Sequence, residues 1–393
     1  MSFFGSLEFF IWFTLLAFPA IILGLFQKPL RYYSFFASVF MLALVFGEAK
    51  KQLAFLVLFL FFELILIKLY LYLRRLEGKN KFLYVLFVLS SIFPLFFAKI
   101  SVFSDIKLFS FIGISYLTFK IVQIILEIYD GIIKQISLFE LLNFILFFPT
   151  LSSGPIDRSR RFKKDTDAIP SRKEYLNLLG TGLQKLFLGA VYKFVVSSFL
   201  FSKLGDVTGI TGCSSLIKYI YTYGFFLFFD FAGYSLMAVG ASYIFGIKTP
   251  DNFNKPFLSV DVRDFWNRWH ITLSHWLRDF VFSRFIMNCM RKKWFSSRLL
   301  TAVLGLMLNM LIMGLWHGFS LCYVLYGVYH GVLLSVFEIY QKKSKFYKNN
   351  KNKFIYKLAS WFITINLVMI GFMIFSLASY DKVILSWIYQ KLT

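Results

Sequence analysis

Six stretches of this chain are apolar for long enough to cross a bilayer: Phe9–Leu25, Ala54–Leu73, Phe82–Ala98, Leu108–Ile128, Leu299–Trp316 and Ile355–Leu377. A helix needs about 20 residues to traverse the hydrocarbon, so runs of this length read as membrane spans. Further apolar stretches lie near 33–47, 138–151, 180–203 and 214–246. Composition agrees: 58% of the residues are hydrophobic, where a soluble domain holds about 45–50%. The chain reads as an all-α, polytopic membrane protein with about eleven transmembrane helices plus re-entrant or interfacial pieces. The longest polar segments, Ser152–Tyr175 and Gln341–Lys353, are too short to fold alone. Residues 1–393 are therefore expected to form a single transmembrane domain. The start of the chain lacks a basic segment before its first apolar run, so that run reads as a retained span.

The formal net charge is +23. Lys and Arg concentrate in cytoplasmic loops. The clusters Lys28/Arg31, Arg74–Lys81, Arg158–Lys173, Arg291–Arg298 and Lys342–Lys353 therefore mark the cytoplasmic side and place the N-terminus outside. The excess charge favours membrane lipids or an acidic cytoplasmic partner. Nucleic acid is a poor partner, because no polar domain offers a groove-binding surface. Three apolar pieces lie between Lys81 and Arg158, two loops that should share a side. One of the three is then re-entrant or interfacial, which protein-buried backbone permits. Cys213, Cys289 and Cys322 are far apart and share no metal-ligand spacing, so neither a disulfide framework nor a metal site is expected.

Ionisable residues within spans are costly and face a protein interior or a water path. Glu63, Lys68, Lys120, Glu127, Lys193, Asp230, His317 and His330 are of this kind. Lys68, Glu127 and Lys193 read as snorkelling or paired groups, and Asp230 as a buried acceptor of structural hydrogen bonds.

Asp261–Phe280 carries apolar residues at 262, 265, 266, 269, 273, 276, 277 and 280. That spacing predicts one amphipathic helix. On it His270 lies about 40° from Trp266 and His275 about 180° away. Three tryptophans and Arg263, Arg268 and Arg278 suit a helix lying in the membrane interface. His317 ends an apolar span between Trp316 and Gly318. Gly314 and Gly318 form a small-xxx-small pair that lets another helix approach closely. Two readings stand at this point: a packing motif with a hydrogen-bonded histidine, or a narrow chamber in which a neutral imidazole removes a proton from an attacking hydroxyl. His330 lies 13 residues on, about 220° around a helix, and is expected to be structural.

Trp266-Asn-Arg-Trp-His270 followed 47 residues later by Gly314-Leu-Trp-His-Gly318 resembles the paired signature of the membrane-bound O-acyltransferase (MBOAT) family. Phe148-Pro-Thr-Leu-Ser-Ser-Gly-Pro-Ile-Asp-Arg158, Glu127-Ile-Tyr-Asp-Gly131, Asp230-Phe-Ala-Gly-Tyr234 and the stretch Gly246–Pro256 look like the branch that D-alanylates teichoic acids. The likeness covers about residues 110–335 strongly. At His275 the sequence departs from it, where that branch would carry an aromatic residue.

The resemblance implies a ring of tilted helices around a central tunnel. It implies His317 as the essential histidine and His270 as its support. A small acidic carrier protein would dock on the cytoplasmic face and bring D-alanine as a thioester on its phosphopantetheine arm, with no cofactor held permanently. A small membrane peptide and an outer-facing protein of the same operon would help deliver the acyl group to teichoic acid, at the cell membrane of a Gram-positive bacterium. Asn267, Arg268, Trp316 and Asp230 become candidate tunnel or substrate groups, and Arg158, Arg160, Arg161 and Lys163 candidate carrier contacts. The competing expectations are an O-acetyltransferase subunit acting on an extracellular polysaccharide or peptidoglycan, and a channel or lipid flippase. The last predicts paired broken helices, which the sequence does not offer.

Overall fold

The computed structural model describes residues 1–100, 109–205 and 210–380, and is helical throughout the secondary structure described. Eight helical stretches are long and apolar enough to cross a membrane: Leu7–Leu25, Lys50–Leu76, Lys81–Ile100, Arg172–Lys203, Cys213–Ile244, Arg298–His317, Leu321–Lys343 and Phe354–Ser376. Arg31–Gly47 is a shorter apolar helix. The expected polytopic, all-helical class holds. Two compact units divide the chain: Met1–Tyr192 with Phe231–Asp251, and Lys193–Asp230 with Asn252–Thr393.

The first unit contains α1 (Leu7–Leu25), α2 (Arg31–Gly47), α3 (Lys50–Leu76), α4 (Lys81–Ile100), α5 (Ile114–Tyr129), α6 (Leu138–Leu146), α7 (Ser159–Asp167) and α8 (Arg172–Ala190). Its core is α5, where every residue from Leu117 to Ile128 is buried. A helix covered on all faces must neutralise its polar groups internally. Lys120 Nζ does so by donating to the carbonyls of Phe144 (3.0 Å) and Ile145 (3.3 Å) and to Thr150 Oγ1 (3.0 Å). It thereby occupies carbonyls at the C-terminal end of α6, which the helix itself leaves without partners. Glu127 accepts from Ser159 Oγ at 2.6 Å and Gln123 Nε2 at 3.3 Å.

The odd number of pieces between Lys81 and Arg158 has a physical explanation in α6. Its nine residues extend about 13–14 Å, under half the hydrocarbon thickness. Beyond it the chain turns through a short 3₁₀ segment, Phe148–Thr150, and runs irregularly to Asp157 almost entirely buried. This is non-helical backbone covered by protein. The part of the Leu108–Ile128 run at Leu108 lies outside the described residues. Tyr234 and Ser152 hydroxyls meet at 2.5 Å, joining two of the motifs that carried the resemblance.

The second unit holds α9 (Ser198–Lys203) and the first part of α10 (Cys213–Ile244), then α11 (Val262–Arg268), α12 (Ile271–Leu277), α13 (Ser283–Lys292), α14 (Arg298–His317), α15 (Leu321–Lys343), α16 (Lys345–Asn350) and α17 (Phe354–Ser376). A π-helical turn, Val191–Ser197, continues α8 into α9. Within it Lys193 pairs with Asp230 at 2.6 Å.

The tightest packing is the α14–α15 hairpin. A Cβ on Gly314 would lie 2.4 Å from the Tyr323 carbonyl oxygen and 3.1 Å from Gly327 Cα. One on Gly327 would lie 2.6 Å from the Met310 carbonyl oxygen. The two backbones therefore touch, as small residues allow. The close approach expected at Gly314 is made by the next helix, with Gly327 facing Gly314. Gly318 instead ends α14 in an extended conformation (φ 167°).

Candidate active site

The predicted single helix over Asp261–Phe280 is two helices. α11 stops at Arg268, Trp269 is extended, and His270 adopts the left-handed conformation (φ 43°, ψ 52°) before α12 begins. The cause is tertiary. Asn252 O accepts from Ile271 N (2.8 Å), and Asn252 Oδ1 accepts from Thr272 Oγ1 (2.6 Å) and Thr272 N (3.4 Å). Asn254 N donates to Arg268 O at 2.9 Å. The 252–254 segment thus supplies the bonds that the interrupted helix gives up. A left-handed non-glycine residue costs about 1–2 kcal/mol, and a backbone bonded on both sides of His270 holds it there.

The interruption also overturns the interfacial reading. Trp266, Trp269 and Trp276 are all buried. Trp269 packs on Phe372 (ring centroids 4.6 Å), Phe253 (5.1 Å) and Phe265 (5.6 Å). Trp266 lies edge-on to His330 at 5.0 Å. The segment is an interior wall.

Two predicted site histidines converge on one indole. The Trp316 ring lies 4.7 Å from His317 and 6.3 Å from His270. His270 is 4% exposed, whereas His317, at the last turn of α14, is only partly buried. His317 also faces Phe375 (4.9 Å), Tyr323 (5.7 Å) and Tyr326 (6.2 Å). One imidazole is partly accessible in an apolar, aromatic recess, and a second, buried one faces the same tryptophan.

A cavity of about 410 Å³ adjoins α11, α12 and α14. Trp266, Asn267, His275, Asn309, Met310 and Met313 contribute to its walls, with Arg263 and Arg278. Asn267 is exposed into this space, and His275, expected to be a bystander, shares it. Arg268 is committed elsewhere: its Nε donates to Asp264 Oδ1 at 2.8 Å. Asp230 is likewise committed to Lys193, with Ser197 Oγ at 3.5 Å.

The four candidate carrier contacts behave differently. Arg161 bonds buried Asp157, Asp165 Oδ2 (2.5 Å) and the Lys248 carbonyl (2.5 Å). Lys163 pairs with Glu140, and with Asp167 at 3.0 Å. Arg158 is half-buried, with Gln123 Oε1 at 3.5 Å. Arg160 is exposed, as is neighbouring Lys164.

Sequence reasoning missed Tyr326, and it placed His330 correctly as a buried packing residue but away from His317. The Tyr326 and His330 rings lie 4.6 Å apart, so Trp266, His330, Tyr326 and His317 form a continuous aromatic series. The 220° argument against His330 assumed one helix through 317 and 330. The chain instead breaks at Gly318–Ser320 and doubles back. Ser320, a residue type favoured at helix starts, was the available signal. His330 fits against α17 because residue 371 is glycine: a Cβ there would stand 2.4 Å from His330 Nε2.

Burial holds the His270 imidazole far down, at about 3. The unfolded chain takes up a proton there below about pH 6.5 and the folded chain does not. This group therefore removes stability as pH falls below about 6.5. The melting temperature of purified protein is expected to drop between pH 7.5 and pH 5, and His270→Asn to lessen that drop. Asparagine suits the comparison because it tolerates the left-handed conformation. Identical pH profiles would remove His270 as the source.

These features define a multi-pass helical membrane protein with a paired-histidine site, and the chain belongs to the membrane-bound O-acyltransferase family, whose model matches residues 47–380. It is 43% identical over 389 residues to the teichoic acid D-alanyltransferase of Bacillus subtilis (strain 168), covering 96% of this chain and 98% of that protein. It is 36% identical over 390 residues to the protein of the same name from Lacticaseibacillus rhamnosus, covering 93% and 94%. The probable alginate O-acetylase AlgI of Pseudomonas aeruginosa is 32% identical over 272 residues, covering 67% of this chain and 48% of that relative.

Proposed function

We propose that this protein transfers D-alanine from a phosphopantetheinyl thioester on a small acidic carrier protein to a hydroxyl of teichoic acid on the outer side of the membrane. The observation that carries the reaction type is the convergence of His270 and His317 on Trp316, beside the aromatic recess that holds His317. The choice of acyl group and acceptor is supported by the near full-length likeness to the D-alanyltransferases. The alginate O-acetylases align with only two thirds of the chain and about half of their own length, which favours D-alanyl transfer over O-acetyl transfer.

In this reading His317 takes the proton of the acceptor hydroxyl as its oxygen adds to the thioester carbonyl carbon. The carbon–sulfur bond then breaks, and the imidazolium returns the proton to the departing thiolate. The thioester is already activated, so the remaining work is alignment and support of the developing oxyanion. His270 acts as a positioning residue through Trp316. The 410 Å³ cavity suits the arm of the carrier: Asn267, Asn309 and His275 line the path of its amides, and Arg263 and Arg278, paired with Glu338 and Asp279 in the resting protein, would exchange those partners for its phosphate. Docking of an acidic carrier on a basic face would speed encounter. On α7 the side chains free to serve are Arg160 and Lys164 rather than Arg161 and Lys163, and Arg291–Lys293 offers a second basic surface. The small membrane peptide and the outer-facing protein would complete delivery of the acyl group.

The test is reconstitution in vesicles with D-alanyl-loaded carrier inside and a teichoic acid acceptor outside. Loss of thioester with gain of external D-alanyl ester is expected only with the protein present. Consumption of an acetyl donor in place of the D-alanyl carrier would overturn the assignment.

A further inference from the structure

A cavity of about 810 Å³ lies between α15 and α17, and neither of the paired histidines lines it. That volume falls within the range of small-molecule sites. Its deep walls are apolar, with Leu333, Val336 and Phe337 on α15 and Ile363 and Leu367 on α17. Its polar end carries Lys353, Asn350, Tyr340 and Tyr356. Asp261 also lines it, but that carboxylate caps α11, accepting from Arg263 N (2.9 Å) and Asp264 N (2.8 Å).

The charge around the polar end is one-sided. Between Gln341 and Lys357 there are lysines at 342, 343, 345, 348, 351, 353 and 357, and no Asp or Glu. All are exposed. Lys342 pairs with Glu338 at 2.9 Å. The other six make no ion pair among the described residues. Aromatic and aliphatic side chains at the same level, Phe346, Phe354 and Ile355, are 63–79% exposed. From Lys353 to Leu367 the groove follows about 21 Å of helix, more than the ~15 Å hydrocarbon depth of one leaflet.

We propose that this groove binds one anionic phospholipid of the leaflet on the basic side, its phosphate at Lys353 and one acyl chain between α15 and α17. A lysine cluster next to a membrane helix attracts anionic headgroups, and the apolar depth distinguishes a lipid from an acidic protein, which would need only the surface. A zwitterionic lipid would leave the lysine charge without a counterpart. Asp261 and Val262 line the groove, so an occupant touches the first turn of α11, the helix that carries Trp266 and leads to His270. The proposal stands on this geometry and is independent of the acyl group transferred.

The test uses the full chain, purified in detergent and titrated with phosphatidylglycerol or phosphatidylcholine under native mass spectrometry. Phosphatidylglycerol is expected to bind about 100-fold more tightly. Replacing Lys351, Lys353 and Lys357 together by glutamine should bring it to the level of phosphatidylcholine, since each lysine near an anionic headgroup is worth about a factor of five. Ala359→Trp, which fills the groove, should weaken both lipids while preserving the headgroup preference. Equal binding of the two lipids by the wild type would overturn the proposal, as would a triple variant with unchanged preference. A triple variant that keeps phosphatidylglycerol but loses an acidic carrier protein would reassign the lysines to protein docking.

Discussion

His317→Ala is expected to abolish transfer while the protein still accumulates in membranes at the wild-type level. A positioned acid–base group contributes about 10²–10⁴ in rate, equivalent to about 3–5 kcal/mol of barrier. The structural cost should be small by comparison. His317 is the last residue of α14 and only partly buried, and the hairpin below it is held by Gly314 against Gly327. Truncation there widens a recess that already exists. The measurement is loss of carrier thioester in reconstituted vesicles, with ester-linked D-alanine in the cell wall as the cellular counterpart. Normal wall D-alanine in cells carrying only the variant would exclude His317 as the reacting base. His317→Gln, which keeps a polar side chain of similar size, should be equally inactive.

The second large effect is expected at His270. Groups that orient a metal ligand from behind typically matter by about 10–100-fold, and a loss of that order is expected for one that orients a reacting imidazole. His270→Asn, which avoids an added backbone penalty, should reduce kcat by about that factor and leave KM for the loaded carrier nearly unchanged. His275→Asn should act the other way, raising KM with a small effect on kcat, because His275 lines the cavity. Equal changes in kcat for the two variants would mean that the interrupted helix does not separate their roles.

The signature histidines, the all-helical polytopic class and one short piece before Arg158 were legible in the sequence; the count was not, since about eleven spans were expected and eight helices among the described residues are long and apolar enough to cross. Each rests on local pattern: apolar run length, or a motif within a few residues. What escaped depends on distant partners. The run from Asp261 to Phe280 has a continuous helical period, and the break at His270 is imposed by Asn252 and Asn254, whose backbone and side-chain bonds replace those of the helix. The place of His330 was lost by drawing one helical wheel through a reversal. Arg268 is a residue type that chemistry can use, but Asp264 holds it, whereas the pairing of Asp230 with Lys193 follows the structural roles that their positions suggested. Arg161 is similar: its charge counts toward a basic loop, yet Asp157 and Asp165 surround it. Sequence reveals which charges exist, while the fold decides which remain available.

The α14–α15 hairpin also sets a length. Its two open ends are basic, at Arg298 and at Lys342–Lys343, and its closed end carries His317. The 20 residues from Arg298 to His317 span about 28 Å of helix, nearly the full hydrocarbon thickness. The cavity wall uses Ala302, Leu306, Met310 and Met313, which lie about 6–22 Å short of His317 along the same helix. In the reaction proposed above, a donor entering from the basic side would carry its acyl carbon past all of them on a long, thin tether. The helix would then act as a gauge: a carrier with a shortened arm is expected to dock normally and still fail, its thioester stopping short of His317.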